Sequence, residues 1–300
     1  MRPVRRETAR KGTGRERFRR VLAYPQARFG LFIISVFVLA AIFAPWIAPH
    51  DPRAVSGSLV EPPSAEHWLG TDVVGKDVLS GVIFGARVSM AIGLMTGLGV
   101  LVLGVALGAT AGYFGGRVDS ILMRVTEVFQ VVPSLVLALV VVSLFGRSLL
   151  LISLAITLAI WPQTARIVRA QFLSLKHLDM VAAAQTMGFR APRIMFKEIL
   201  PLAMPAVVVQ VTIEAGSAIL IESGLSFLGL GDPVRPSWGN QLQVAQADLS
   251  AIWMSVPPGL AIFLVVLAVN FVGDGMNQAY RPVAHPNIRR RLRKERRNDA

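Results

Sequence analysis

Six long apolar stretches alternate with polar ones along the chain. Phe29 to Ala48, Val88 to Phe114, Val128 to Phe145 and Ser148 to Ala165 hold no charged side chain, Leu200 to Ile221 holds only Glu214, and Pro258 to Val272 carries the amide of Asn270. About 20 such residues in a helix cross the hydrocarbon core of a bilayer. The pattern predicts an all-α, polytopic membrane protein with six transmembrane helices, which puts both termini on one side. Composition agrees: 53% of residues are hydrophobic, only 16% are charged, and the mean hydropathy is +0.56, against about 25% charged in an ordinary soluble domain.

Lysine and arginine decide which side is which. Ten precede Phe29, two (Arg117, Arg124) follow the second stretch, six lie between the fourth and fifth, and eight follow the sixth, making 26 of the 31. The other set of segments keeps only Arg53, Lys76, Arg87, Arg147 and Arg235. Positive residues stay in the cytoplasm, so both termini are expected there. A cleaved signal peptide is the alternative for the first stretch, but that stretch and its basic leader are both long for one, which favours an uncleaved anchor. The net charge of +13 sits largely in "RRETARKGTGRERFRR" and "RRRLRKERR" at the membrane ends. Attraction to anionic membrane lipids accounts for that placement, and no aromatic interleaving or module points to nucleic acid.

Candidate chemistry is sparse. "GTDVVGKD", Gly70 to Asp77, matches the phosphate-loop pattern except that Asp77 replaces the hydroxyl residue that would hold magnesium. It follows "EPPSAEHWL" instead of a buried strand and is expected outside, away from cytosolic ATP, so the match is read as coincidence. There is no cysteine, and His50, His67, His177 and His285 are isolated along the sequence, so no metal site is expected. No hydrolase or zincin signature occurs. Gly104, Gly108 and Gly112 recur every fourth residue, with Gly93 and Gly97 repeating the spacing on the same stretch, a ridge that suits close helix packing.

The segment between the fourth and fifth stretches, "ARIVRAQFLSLKHLDMVAAAQTMGFRAPRIMFKEILP", is too polar to span and too apolar to be an idle linker. Val181, Ala184, Gln185 and Gly188 fall at helical spacing, and Gly188 is placed to end a short helix that starts after Asp179. Either this helix merely covers the membrane surface, or its small residues dock into a cytoplasmic partner.

Here a resemblance becomes specific. The order Asp179, Val181, Ala182, Ala183, Ala184, Gly188 and Leu200-Pro201 resembles the "EAA" coupling loop of ABC importer permeases, with Ala182 standing where that motif's glutamate normally stands. "HWLGTDVVGKDVLSGVIFGARVSM", "AGYFGGRVDSILMR", "VVPSLVLAL", "ESGLSFLGLGDP", "PSWGN" and "PPGLAIFLVVLAVNFVGDGMNQAYRP" are similar to the C-type permease of the dipeptide, oligopeptide and nickel importer family, from about Phe29 to Pro282. The resemblance implies the type I ABC importer permease fold, in a bacterial plasma (inner) membrane. It also implies a heterodimer with a homologous B-type permease, two cytoplasmic ATPase subunits that carry the ATP and magnesium, and an external substrate-binding protein. On this scheme the chain divides into a basic cytoplasmic tail (1–28), a first transmembrane helix (29–48), an external segment (49–87), a permease core (88–280) containing the coupling loop 166–200, and a second basic tail (281–300). It performs no catalysis and binds no cofactor; it lines half of a path for di- or oligopeptides.

Ionisable residues inside spans are costly and face a cavity or a partner, which singles out Glu127, Glu214, Glu222, Asn270 and Asp274. Glu214 and Glu222 lie about two helical turns apart on one face. Such a face suits a peptide's ammonium end, or else polar packing at the permease interface. Nickel or another small solute is the alternative cargo. A secondary transporter is the alternative class, but the inverted repeats it would carry are not visible.

Overall fold

The computed structural model describes residues 21–280 together with Arg19. The expected tail 281–300, and all of the expected tail 1–28 save Arg19 and residues 21–28, lie outside the described residues. Helix α1 spans Pro25–Ile47, with proline in the first turn, where its missing N–H costs nothing. Helix α2 spans Val78–Phe114, 37 residues and roughly 55 Å. It begins at Val78 and not at the expected Val88, because Asp77 caps it by accepting from the Ser80 amide at 2.7 Å. Arg87 interrupts the apolar run without interrupting the helix, since arginine is a good helix former.

Helices α3 (Gly116–Val131) and α4 (Ser134–Phe145) form a pair bent by 86°. The third stretch, expected as one span from Val128 to Phe145, is therefore broken. Pro133 provides no amide and pushes the residue before it out of the helical region, and Val132 is extended at φ −85°, ψ 128°. Helix α5 spans Leu149–Leu175, capped by Ser148, and the short helix α6 spans Asp179–Thr186. A single turn, Ala191–Arg193, and a π-helical stretch, Ile194–Ile199, lead into α7, Leu200–Phe227. Pro201 cannot donate to the carbonyl four residues back and its ring crowds it, so the widened turn before it relieves the clash. Helix α8 (Trp238–Ala245) and helix α9 (Ile252–Tyr280) complete the chain. Among the described residues there is no strand, only an isolated bridge between Thr71 and Asp77.

Five helices are long and apolar enough to cross a membrane, or six crossings if the bent pair is one. Packing decides between them. Along α2, successive glycines face successive residues of α5: Gly99 faces Thr157, Gly104 faces Thr164, Gly108 faces Ala165 and Gly112 faces Phe172. Both numbers rise together, so α2 and α5 run parallel, and the α3–α4 pair must return the chain to the face where α2 began. Six crossings result, with the described chain starting and ending on one side. The face bearing residues 49–77 is called outer and the opposite face inner, following the charge distribution.

The glycine ridge serves packing within the chain. A methyl group on Gly104 or Gly112 would come within 2.6 Å of Thr164 or Phe172, and Gly108 abuts the Ala165 carbonyl. Gly93 and Gly97 turn to a different neighbour, Ile219 and Ala215 of α7. Gly99, outside the every-fourth-residue pattern, is pressed against Thr157 as closely as the ridge itself.

Candidate functional site

On the inner face, α6 is joined to the ends of α5 and α7. Its last turn closes by two reversed bonds: the Gly188 amide donates to the Gln185 carbonyl at 2.9 Å and the Phe189 amide to the Ala184 carbonyl at 3.1 Å. This closure places Gly188 at φ +77°, a region that residues with a side chain resist. Asp179 sits in the first turn, where its charge complements the helix N-terminus. The helix is two-sided. Val181 and Ala184 are buried in a cluster with Phe172, Ile194, Met195 and Ile199. Met180, Ala182, Ala183, Thr186, Met187 and Gly188 are exposed. The sequence pattern groups Ala183 and Ala184 as one small-residue surface; the fold separates them, so Ala183 is presented outward while Ala184 anchors the helix. Pro201 is exposed at the start of α7. Arg193 stacks 3.7 Å over the Phe189 ring, tying the segment after α6 to the turn before α7.

Two further ties hold this inner corner, and the sequence reading missed both. Arg169 of α5 makes two hydrogen bonds to Asp119 of α3, the Nη2 to Oδ2 bond at 2.6 Å, and Lys176 Nζ donates to the Gly112 carbonyl at 3.0 Å. Fifty residues separate Arg169 from Asp119, so no local spacing signals the pair.

The ionisable and polar residues singled out in the spans do not assemble into one constellation. Glu214 and Glu222 are both buried on α7, 7% and 1% exposed. Glu214 accepts from Gln210 Nε2 at 2.7 Å and Glu222 from Ser226 Oγ at 2.6 Å. Both of these bonds are made within α7. Glu127 is exposed on α3 and faces Arg124 at 3.4 Å. Asn270 is exposed and bonds back to the Val266 carbonyl of its own helix at 2.9 Å, and Asp274 is exposed on α9. No hydrogen bond or ion pair joins any two of these residues among the described ones.

On the outer face, folding gathers histidines that the sequence leaves apart. The rings of His50 and His67 lie 4.7 Å apart, and with Glu66 they offer three ligand-type atoms within 4.8 Å of one another. His67 Nδ1 is engaged at 3.0 Å with Asp77 Oδ1, while His67 Nε2 and His50 Nδ1 are buried without a hydrogen-bond partner. His67 and Asp77 form a clasp. The hydrogen bond to Asp77 raises the His67 pKa above its ordinary value, outweighing burial. Burial pushes the Asp77 carboxyl up, but the bonds from Ser80 and His67 outweigh it and hold it below the usual range. Asp77 is therefore the cap of α2 and the partner of His67, not a phosphate-loop residue.

Comparison with known proteins gives this arrangement its context. Residues 104–283 match the family described as binding-protein-dependent transport system inner membrane component, and residues 13–63 match the N-terminal TM domain of oligopeptide transport permease C. This chain belongs to that permease family. Among its relatives, the dipeptide transport system permease protein DppC of Bacillus subtilis is 40% identical over 88% of this chain and 84% of that protein. The DppC of Alkalihalophilus pseudofirmus is 37% identical, covering 89% of each chain, and the oligopeptide transport system permease protein OppC of Bacillus subtilis is 37% identical, covering 85% of each. In fold, the permease superposes on an inward-facing methionine ABC transporter MetNI with a TM-score of 0.52 at 20% identity, over 67% of this chain and 96% of that one. The permease is thus a multi-pass inner-membrane transport component of the type I importer fold. Its near-match to a phosphate loop lies in the stretch before α2, on the opposite face from α6.

Proposed function

We propose that this chain is the transmembrane permease subunit of an ATP-driven importer, forming half of the translocation path for di- and oligopeptides handed over by an external binding protein. The observation that carries the reading is α6: a short helix fixed to α5 and α7 through Val181 and Ala184, closed by a glycine cap, with Ala182 and Ala183 facing outward at the inner end of the bundle. Such a helix transmits a push from a partner to two spans at once. Similarity to peptide permeases over most of the chain supports peptides as cargo. In this reading the inner face is cytoplasmic and meets two ATPase subunits, which hold ATP and magnesium. A homologous B-type permease completes the path, and this chain contributes no covalent chemistry and no bound cofactor. Ala182, in place of the motif glutamate, leaves shape and apolar contact to carry the docking.

The test is peptide uptake and peptide-stimulated ATP hydrolysis by the assembled importer in vesicles. Ala183→Arg sets a bulky cation on the docking face and is expected to abolish uptake with the amount of inserted permease unchanged. Ala184→Arg buries an unpaired charge in the chain's own cluster, at about 3–5 kcal/mol, and is expected to lower the inserted amount itself. Normal uptake by Ala183→Arg at normal abundance would overturn the assignment of α6.

A further inference from the structure

The outer face carries only five lysines and arginines, and three of them, Arg53, Lys76 and Arg235, line one cavity of 390 Å³. The cavity lies between the loop that precedes α2 and the loop that precedes α8. Its three carboxylates already accept hydrogen bonds from within the protein. Asp72 Oδ1 accepts from the amides of Val74 and Lys76, both at 2.9 Å. Asp77 is held by His67 and Ser80. Asp232 accepts from the amides of Val234 and Arg235 through Oδ1 and from the Leu149 amide through Oδ2. Among the described residues none of the three cations makes a salt bridge. Two of the cations stand above the carboxylates: Asp77 is 2% exposed and Asp72, Asp232 and Lys76 are half-buried, whereas Arg53 and Arg235 are exposed. An approaching molecule meets the two arginines first, with Lys76 at the depth of Asp72 and Asp232.

The rim argues for a protein and against a small anion. Val74 and Val234 in the lining are 45% and 64% exposed, and Pro52, Pro233 and Pro236 stiffen the loops that present them. Apolar contact beside accessible charge, with few freely rotating backbone bonds, is the composition of a docking surface. The cavity has room for a side chain and part of its loop.

We propose that Arg53, Lys76 and Arg235 form a socket for an acidic side chain, aspartate or glutamate, on a loop of the external binding protein. This rests on the importer reading and assigns the residues through which the delivering protein seats. Charge at such a place speeds encounter and fixes orientation, and its effect weakens with salt.

The experiment uses the assembled importer in nanodiscs and the binding protein that stimulates its ATP hydrolysis, with Kd measured at several salt concentrations. The charge-reversed variant Arg53→Glu/Lys76→Glu/Arg235→Glu is expected to bind at least about tenfold more weakly and to lose most of the salt dependence. The charge-keeping variant Arg53→Lys/Lys76→Arg/Arg235→Lys is expected to stay within about threefold of wild type. Unchanged Kd and salt dependence in the reversed variant, at equal inserted amount, would overturn the socket while leaving the importer reading intact. Equal weakening in both variants would show a structural role and overturn it too. If no binding protein stimulates the wild-type importer, the importer reading falls and the socket with it.

Discussion

Gly188 and Gly108 show two different reasons for a glycine. At Gly188 nothing lies within 4 Å of where a side chain would begin, yet φ is +77°; at Gly108 the Ala165 carbonyl and Val168 occupy the space. Substitution at Gly188 is thus limited by backbone conformation alone. Gly188→Val is expected to destabilise the cap of α6 by about 1–2 kcal/mol, and Gly188→Asn by less, because asparagine tolerates the left-handed region. Amide exchange at Phe189, whose N–H closes the cap onto Ala184, should speed up in the order wild type, Asn, Val. Equal protection in all three would show that the cap does not depend on this residue. Neighbouring residues lie about 100° apart around a helix, so the three alanines divide: Ala182 and Ala183 stay exposed while Ala184 turns into the buried cluster.

At the level of elements, Asp77 links the outer segment to α2, and its partner His67 makes the link sensitive to pH. The folded pKa of His67 is raised above 6.5, so its contribution is complete below that value and fades as pH rises through the raised one. The folded pKa of Asp77 is lowered below 3.8, so its contribution is present above that value and fades as pH falls through the lowered one. The clasp is therefore strongest between about pH 4 and 6.5. Tryptic cleavage after Lys76, corrected for protease activity on an unfolded peptide, is expected to be faster at about pH 8.5 than at about pH 6. His67→Gln should remove that difference, and a persistent difference in the variant would place the titrating group elsewhere. This element also marks the limits of the sequence. Apolar runs announced the spans because a bilayer demands them, and Gly188 announced its cap. The start of α2 at Val78, the break at Pro133, the π-helical turn before Pro201 and the pairing of Asp119 with Arg169 depend on local capping or on residues far apart in the chain. Hydropathy alone carries no signal for them, although a Pro inside the third apolar run was a visible warning. His50 and His67 are likewise brought together by the fold, not by spacing.

For the whole molecule, the parallel run of α2 beside α5 forces an odd number of crossings between them, which the bent α3–α4 pair supplies. With the remaining spans this places Pro25 and Tyr280 on one side, a result independent of any charge rule. The absolute orientation rests on the distribution of lysine and arginine, and one experiment tests both. The chain has no cysteine, so single cysteines can be introduced without background. Ser58, Val234 and Leu249 are exposed on the outer face, and Thr186 and Met187 on the inner. A membrane-impermeant maleimide added to intact spheroplasts is expected to label Ser58→Cys, Val234→Cys and Leu249→Cys, and to label Thr186→Cys and Met187→Cys only after the membrane is permeabilised. Labelling with the two groups exchanged would preserve the fold but reverse its insertion. It would then remove α6 from the cytosolic ATPases and the arginine socket from any external protein. Labelling of Val234→Cys together with Met187→Cys in intact cells would go further, because the two residues lie at opposite ends of α7, and would mean that α7 does not cross the bilayer.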